Sequence, residues 1–188
     1  MPDVLLIIDV QNAILDGAAE PDRTVDVQSY FDDMVDRLVT LKSLAAENGI
    51  TTVLVQNDGP VGHRLSVGSK GWEILPALGP DTQDIVVNKE SCDSFHDTDL
   101  MDHLTRLGAT RLVIGGCMTQ YCVDTTARRA VTLGFDVTLI SNGHCTGDAG
   151  TLRQDQIIAH HNQTLDGFDA GKCSVSVLPA KDVIFTHA

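Results

Sequence analysis

Five short runs of aliphatic residues constrain this chain more than anything else in it: Val4 to Ile8 (VLLII), Thr51 to Gln56 (TTVLVQ), Asp84 to Asn88 (DIVVN), Arg111 to Gly116 (RLVIGG) and Asp136 to Ile140 (DVTLI). Runs that do not alternate with polar residues suit strands covered on both faces, as in a parallel sheet. Between them lie segments of helical periodicity. Tyr30, Phe31, Met34, Leu38, Leu41 and Ala45 recur at helical spacing, and the pattern stops at Gly49. Further helices fit Thr98 to Gly108, Thr119 to Leu133 with Gly134 as the stop, and Leu152 to Leu165. A sixth run, Cys173 to Leu178 (CSVSVL), alternates, which predicts an edge strand. Parallel neighbours require crossover connections, so the order predicts an α/β fold: a parallel sheet wrapped by helices.

The exception is Asp58 to Asp81, which is rich in Gly and Pro and carries the only tryptophan, Trp72. A loop this long in a compact domain is expected to be a lid or a binding loop. With no internal repeat, low-complexity tract or linker, residues 1–188 are expected to form a single domain. A formal net charge of -13 argues against nucleic acid and anionic membranes as partners, since both would repel the chain. A small-molecule substrate is expected instead. The amino-terminal MPDVLLIIDV has neither the basic region nor the long apolar stretch of a targeting segment, so a cytoplasmic protein is expected. Five cysteines then read as free thiols. No C-x-x-C, H-E-x-x-H or zinc-spaced Cys/His array is present, and neither a metal nor a cofactor is expected.

In open α/β sheets, ligands bind beyond the carboxyl ends of the strands. Asp9 and Gln11 follow the first run, Asn57 and Asp58 the second, Lys89 the third, and the Gly115-Gly116 turn leading to Cys122 the fourth. A cysteine in the first turn of a helix has its thiolate stabilised by unpaired amides and the helix dipole, which predicts a pKa below the usual value of about 8.5. The same amides can hold the oxyanion formed when a thiolate attacks a carbonyl. Taken singly, each residue has an ordinary explanation: packing for Cys122, capping for Asp9, a surface charge for Lys89. Their placement on one sheet edge is the stronger signal.

LLIIDVQN, VNKESCDSFHDTDL and GGCMTQYCVDTTARRA together resemble the isochorismatase-like cysteine hydrolase family, in order and separation, from about Leu5 to the IIAHHNQTL helix. The resemblance implies a Rossmann-like three-layer sandwich with a six-stranded parallel sheet. It also implies a catalytic triad of Asp9, Lys89 and Cys122, with Asp9 as general base and Lys89 lowering the thiol pKa. An amide would then be cleaved through a thioester. Backbone amides of Met118 and Cys122 would form the oxyanion hole, next to a cis peptide between Cys117 and Met118. The family's metal-dependent nicotinamidases carry an Asp and two His after the second strand; here Asp58 and His63 stand without a second nearby histidine, so no metal is expected.

Gln11, Asn57, Trp72 and Phe95 are the expected substrate contacts, the last two as apolar walls. Cys122 favours C–N hydrolysis. Two alternatives stay open: vinyl-ether hydrolysis with Asp9 as the acid, and a catalytically silent α/β binding module. Cys117 fits either a resolving thiol or a small turn residue. Adjacent His160 and His161 point in different directions on a helix and do not pair by spacing. Apolar helix faces predict a homo-oligomer, a dimer or larger.

Overall fold

The computed structural model describes residues 2–186. Its elements run β1 (Asp3–Ile8), α1 (Thr24–Glu47), β2 (Thr52–Asn57), β3 (Ile85–Lys89), α2 (Leu100–Leu107), β4 (Arg111–Cys117), α3 (Asp124–Thr132), β5 (Asp136–Cys145), α4 (Gln154–Leu165) and β6 (Val175–Leu178). The six strands form one sheet in the order β3-β2-β1-β4-β5-β6, with every neighbouring pair parallel. The α/β architecture is the one the aliphatic runs imply. The alternating sixth run forms the edge strand β6.

Successive side chains of a strand face opposite sides. Leu5 and Ile7 accordingly pack with Met34, Leu38 and Leu41 of α1, while Val4, Leu6 and Ile8 pack with Leu104 of α2 and Ala127 and Val131 of α3. Both faces of β1 are buried, which is why its sequence does not alternate. Two elements are longer than the pattern predicts. Helix α1 starts at Thr24, ahead of Tyr30, because buried Val27 extends the apolar stripe by a turn. Strand β5 continues past Ile140 to Cys145 through Ser141, Asn142, Gly143 and His144, a stretch that reads as a loop by composition.

Strand β1 leads to β2 on one side and has β4 on the other, so the order in which strands are added across the sheet reverses beside it. A crevice opens at such a point beyond the carboxyl ends. There β1 and β4 lie close: Gly116 has φ 120°, and a Cβ on it would collide with the backbone of Ile8. The long loop after β2 is tied down over this end. Asn12 N donates to Glu73 O (3.0 Å), Ala13 N to Gly71 O (3.0 Å) and Leu75 N to Val10 O (3.0 Å). No helix among the described residues is long and apolar enough to cross a membrane.

Candidate active site

Three strand ends bring three reactive side chains together. The chain leaves β1 through Asp9, held at φ 51° while its N–H donates to Val55 O (2.9 Å). A left-handed backbone is uncommon outside glycine, though Asp tolerates it better than most residues. It turns the carboxylate toward the end of β3, where Lys89 closes the strand. Lys89 Nζ donates to Asp9 Oδ2 at 2.7 Å, reaches Cys122 Sγ at 3.3 Å and lies 3.5 Å from Asn57 Oδ1. An ammonium has three protons, and each has an acceptor. The Lys89 and Asp9 side chains are 0% and 1% exposed, and Asp9 Oδ1 has no hydrogen-bond partner.

Burial raises the Asp9 pKa from its ordinary 3.8, against the pull of Lys89 and of the Cys122 thiol. For Lys89, burial acts downward, but the charges of Asp9 and Cys122 outweigh it and the net direction is up. Burial and the Asp9 charge together push the Cys122 thiol up, with Lys89 opposing them. This reverses the expected depression of the thiol pKa. The helix-terminus argument assumes a solvated sulfur, whereas here desolvation and a neighbouring carboxylate act on it first. Burial and the neighbouring carboxylate thus favour the thiol form of Cys122 over the thiolate, with Lys89 acting the other way.

The segment carrying Cys122 also departs from the expected regular helix. Thr119–Val123 forms a wide π turn, in which the Tyr121 and Val123 N–H groups both return to Met118 O (3.0 and 3.3 Å), and α3 starts only at Asp124. The Cys117–Met118 peptide is cis, as the resemblance implies. Behind the turn, Thr119 Oγ1 and His144 Nδ1 lie 2.9 Å apart, and His144 Nε2 lies 2.9 Å from Asn162 Oδ1. Asn162 Nδ2 donates to Ser141 O, so its oxygen faces the imidazole and Nε2 carries the proton. Burial depresses the His144 pKa to about 4. Sequence reasoning missed His144, because it stands in a stretch that lacks a strand's composition.

Asp9, Asn57 and Cys122 border a cavity of about 170 Å³, walled by Ile14, Leu65, Met118 and Tyr121, with His63 and Arg64 at its rim. A void of about 150 Å³ holds one benzene ring, so the space suits a short reacting group. A larger hollow of about 590 Å³, beside Asp58, Glu90 and His96, borders Lys89 but neither Asp9 nor Cys122.

Of the expected substrate contacts, only Asn57 reaches the cavity. Gln11 is fully buried: its Nε2 donates to Asn57 O (3.0 Å) and Trp72 O (2.8 Å), and its Oε1 accepts from Asn57 N (3.0 Å). It holds Asn57 and has no group left for a ligand on its amide nitrogen. Trp72 turns its indole to Asp58 Oδ1 (2.7 Å) and braces the loop. Phe95 stacks on Phe135, ring centres 6.1 Å apart, in the core of the α2/α3 face. Both were expected as walls because aromatic rings suit pockets, but a strut and a core packing partner carry the same residue types. The walls actually present come from three places, Ile14 after β1, Leu65 on the long loop, and Met118 and Tyr121 at the turn after β4, none of which periodicity announces.

A family model described as the Isochorismatase domain matches residues 3–164. The chain is 35% identical over 144 residues to a streptothricin hydrolase of Streptomyces noursei, covering 77% of this chain and 50% of that protein. It is 27% identical over 153 residues to a ureidoacrylate amidohydrolase of Methylobacterium radiotolerans, covering 66% of this chain and 59% of that one. It thus spans about half the length of the streptothricin hydrolases it matches. The crystal structure of an isochorismatase from Pseudomonas putida KT2440 aligns with a TM-score of 0.83 at 26% identity, over 97% of this chain and 90% of that chain.

Proposed function

The chain belongs to the isochorismatase family of hydrolases, and on that footing we propose that it cleaves the C–N bond of a small amide, imide or ureide through a thioester on Cys122. One observation carries the reading: a single buried ammonium bridges a carboxylate and a thiol at the floor of one cavity. In this scheme Asp9 takes the thiol proton as sulfur attacks the carbonyl carbon. Burial raises its pKa, which strengthens it as a base. Lys89 stays charged and offsets the negative charge that passes from carboxylate to sulfur. The oxyanion lies against the backbone amides of Met118 and Cys122.

Asp9 then hands its proton to the nitrogen, the C–N bond breaks, and ammonia or an amine departs. Water attacks the thioester with Asp9 again as base, releasing a carboxylic acid (a carbamic acid from a ureide) and restoring the thiol. The names of the streptothricin hydrolase and ureidoacrylate amidohydrolase relatives support hydrolysis, the second of an amide-type bond.

The test is ammonia release over a panel of small amides, imides and ureides, with hydroxylamine added to trap the thioester as a hydroxamate. Cys122→Ala and Cys122→Ser are expected to lose turnover and trapping together, by about a thousandfold or more. Full turnover by Cys122→Ala would refute the thioester. If Asp9→Asn were inactive in that case, the chemistry would pass to acid catalysis by Asp9.

A further inference from the structure

The reaction scheme leaves one formal charge at the cavity unused. Arg64 lies on the loop between β2 and β3, exposed to solvent, and borders the same cavity as Cys122. Its Nη1 donates to the backbone carbonyl of Asp16 (2.8 Å), and its Nη2 lies 3.9 Å from Met118 Sδ. Neither contact is a carboxylate. By contrast, Arg23, Arg37, Arg111, Arg128, Arg129 and Arg153 each lie within 4.0 Å of one, and Arg106, which bonds the Asp102 carbonyl and His103, borders no part of this cavity. The chain has 26 acidic and 13 basic residues, so a guanidinium kept clear of carboxylates at a cavity rim is unusual here.

The loop fixes where Arg64 sits. Leu65 beside it is 2% exposed, and Leu65 O accepts from Gly59 N at 2.8 Å. Gly71 packs so close that a Cβ on it would collide with Arg64 O. The Asp16 carbonyl and the Met118 sulfur then hold the far end of the side chain over the opening. A guanidinium has five donors in a planar fork, and two contacts leave donors free. At the floor of the cavity, the Asp9 carboxylate is already matched by Lys89 at 2.7 Å. Arg64 is therefore the unmatched formal charge among the residues that line the cavity.

We infer that Arg64 determines specificity by binding a carboxylate, or a similar planar anion, on the non-reacting end of the substrate. The substrate class is then a short amide or ureide carrying a negative charge. The substrate part of this inference rests on the hydrolase reading; the anion site rests on the geometry alone.

The two parts separate in one experiment. Cys122 is alkylated with iodoacetate and, in parallel, with iodoacetamide, which differ in charge and little in size. Modification is followed by peptide mass spectrometry at pH 8.5, with Cys173, outside the cavity, as internal reference. Arg64→Ala and Arg64→Gln are expected to lower the iodoacetate-to-iodoacetamide rate ratio at Cys122 about tenfold, and Arg64→Glu further, while Arg64→Lys keeps part of it. An unchanged ratio in Arg64→Ala and Arg64→Gln overturns the anion site.

Turnover is read next, on a carboxylate-bearing amide and its neutral methyl ester. Arg64→Ala should raise KM for the first about tenfold with kcat within about twofold, and leave the second unaffected. Equal losses on both overturn the specificity role. A shifted alkylation ratio without turnover of any amide would uphold the anion site and count against the hydrolase reading.

Discussion

Lys89 shows how far one side chain is committed. Its ammonium is out of solvent with its charge met by Asp9 at 2.7 Å, and the same nitrogen reaches the thiol at 3.3 Å. Removing one member of a buried pair leaves an uncompensated charge, which typically costs about 3–5 kcal/mol, whereas removing both costs far less. Lys89→Met should therefore destabilise the protein by an amount in that range in urea titrations. The double variant Asp9→Asn/Lys89→Met should recover most of the loss, and neither should turn over substrate. A Lys89→Met midpoint equal to that of the unaltered protein would mean that Asp9 is not held charged by its neighbour. The convergence of Asp9, Lys89 and Cys122 was legible in the sequence because the three follow apolar runs on one sheet edge and match the family's motifs. Gln11 sits two residues past the same strand, yet its amide turns inward to hold Asn57 and the loop. Residue type and position could not separate those two uses.

At the scale of elements, the strands were legible wherever both faces are covered and the helices wherever one stripe is apolar. The second half of β5 was not, because the β4 register shifts between Ile114 and Gly116: pairing lapses after Leu139 and resumes only at His144 and Cys145, and the residues between have a loop's composition. His144 there links three elements: its imidazole lies between Thr119 of the π turn and Asn162 of α4. The turn that carries Cys122 is thus fastened to β5 and α4 through one buried ring. Burial depresses the pKa of that ring from 6.5 to about 4, so the unfolded chain binds a proton more readily than the folded one between those values. Its contribution is fully present above pH 6.5 and is lost as the pH falls toward 4, by about 3 kcal/mol at most. His144→Gln cannot titrate. Urea midpoints measured from pH 7 down to 4.5 should therefore fall more steeply for the unaltered protein than for the variant, the carboxylates being common to both. Parallel curves would show that the ring is solvated, or already charged, in the folded state.

Over the whole molecule, the balance of charge was readable from composition, while the cavity was not, because a loop without periodicity supplies Arg64, Leu65 and much of the rim. The charge has a consequence of its own. With 26 acidic and 13 basic residues, complete pairing would still leave half of the carboxylates unmatched, for a formal net charge of -13. Two such charges about 10 Å apart repel by roughly 0.4 kcal/mol in water, and compaction brings many of them that close. Salt acts on this repulsion and on the exposed ion pairs in opposite directions. Raising NaCl from about 0.01 to 0.15 M shortens the screening length from about 30 to 8 Å, while an exposed pair such as Arg153–Asp155 contributes well under about 1 kcal/mol to begin with. Repulsion is the larger quantity at neutral pH, so the urea midpoint at pH 7 should rise with NaCl. Near pH 4.6, where the sequence carries no net charge, only the ion pairs remain to be screened, and the increment should vanish or change sign. An equal rise at both pH values would point to exclusion of salt from the protein surface, and would show that unmatched carboxylates do not limit the stability of this fold.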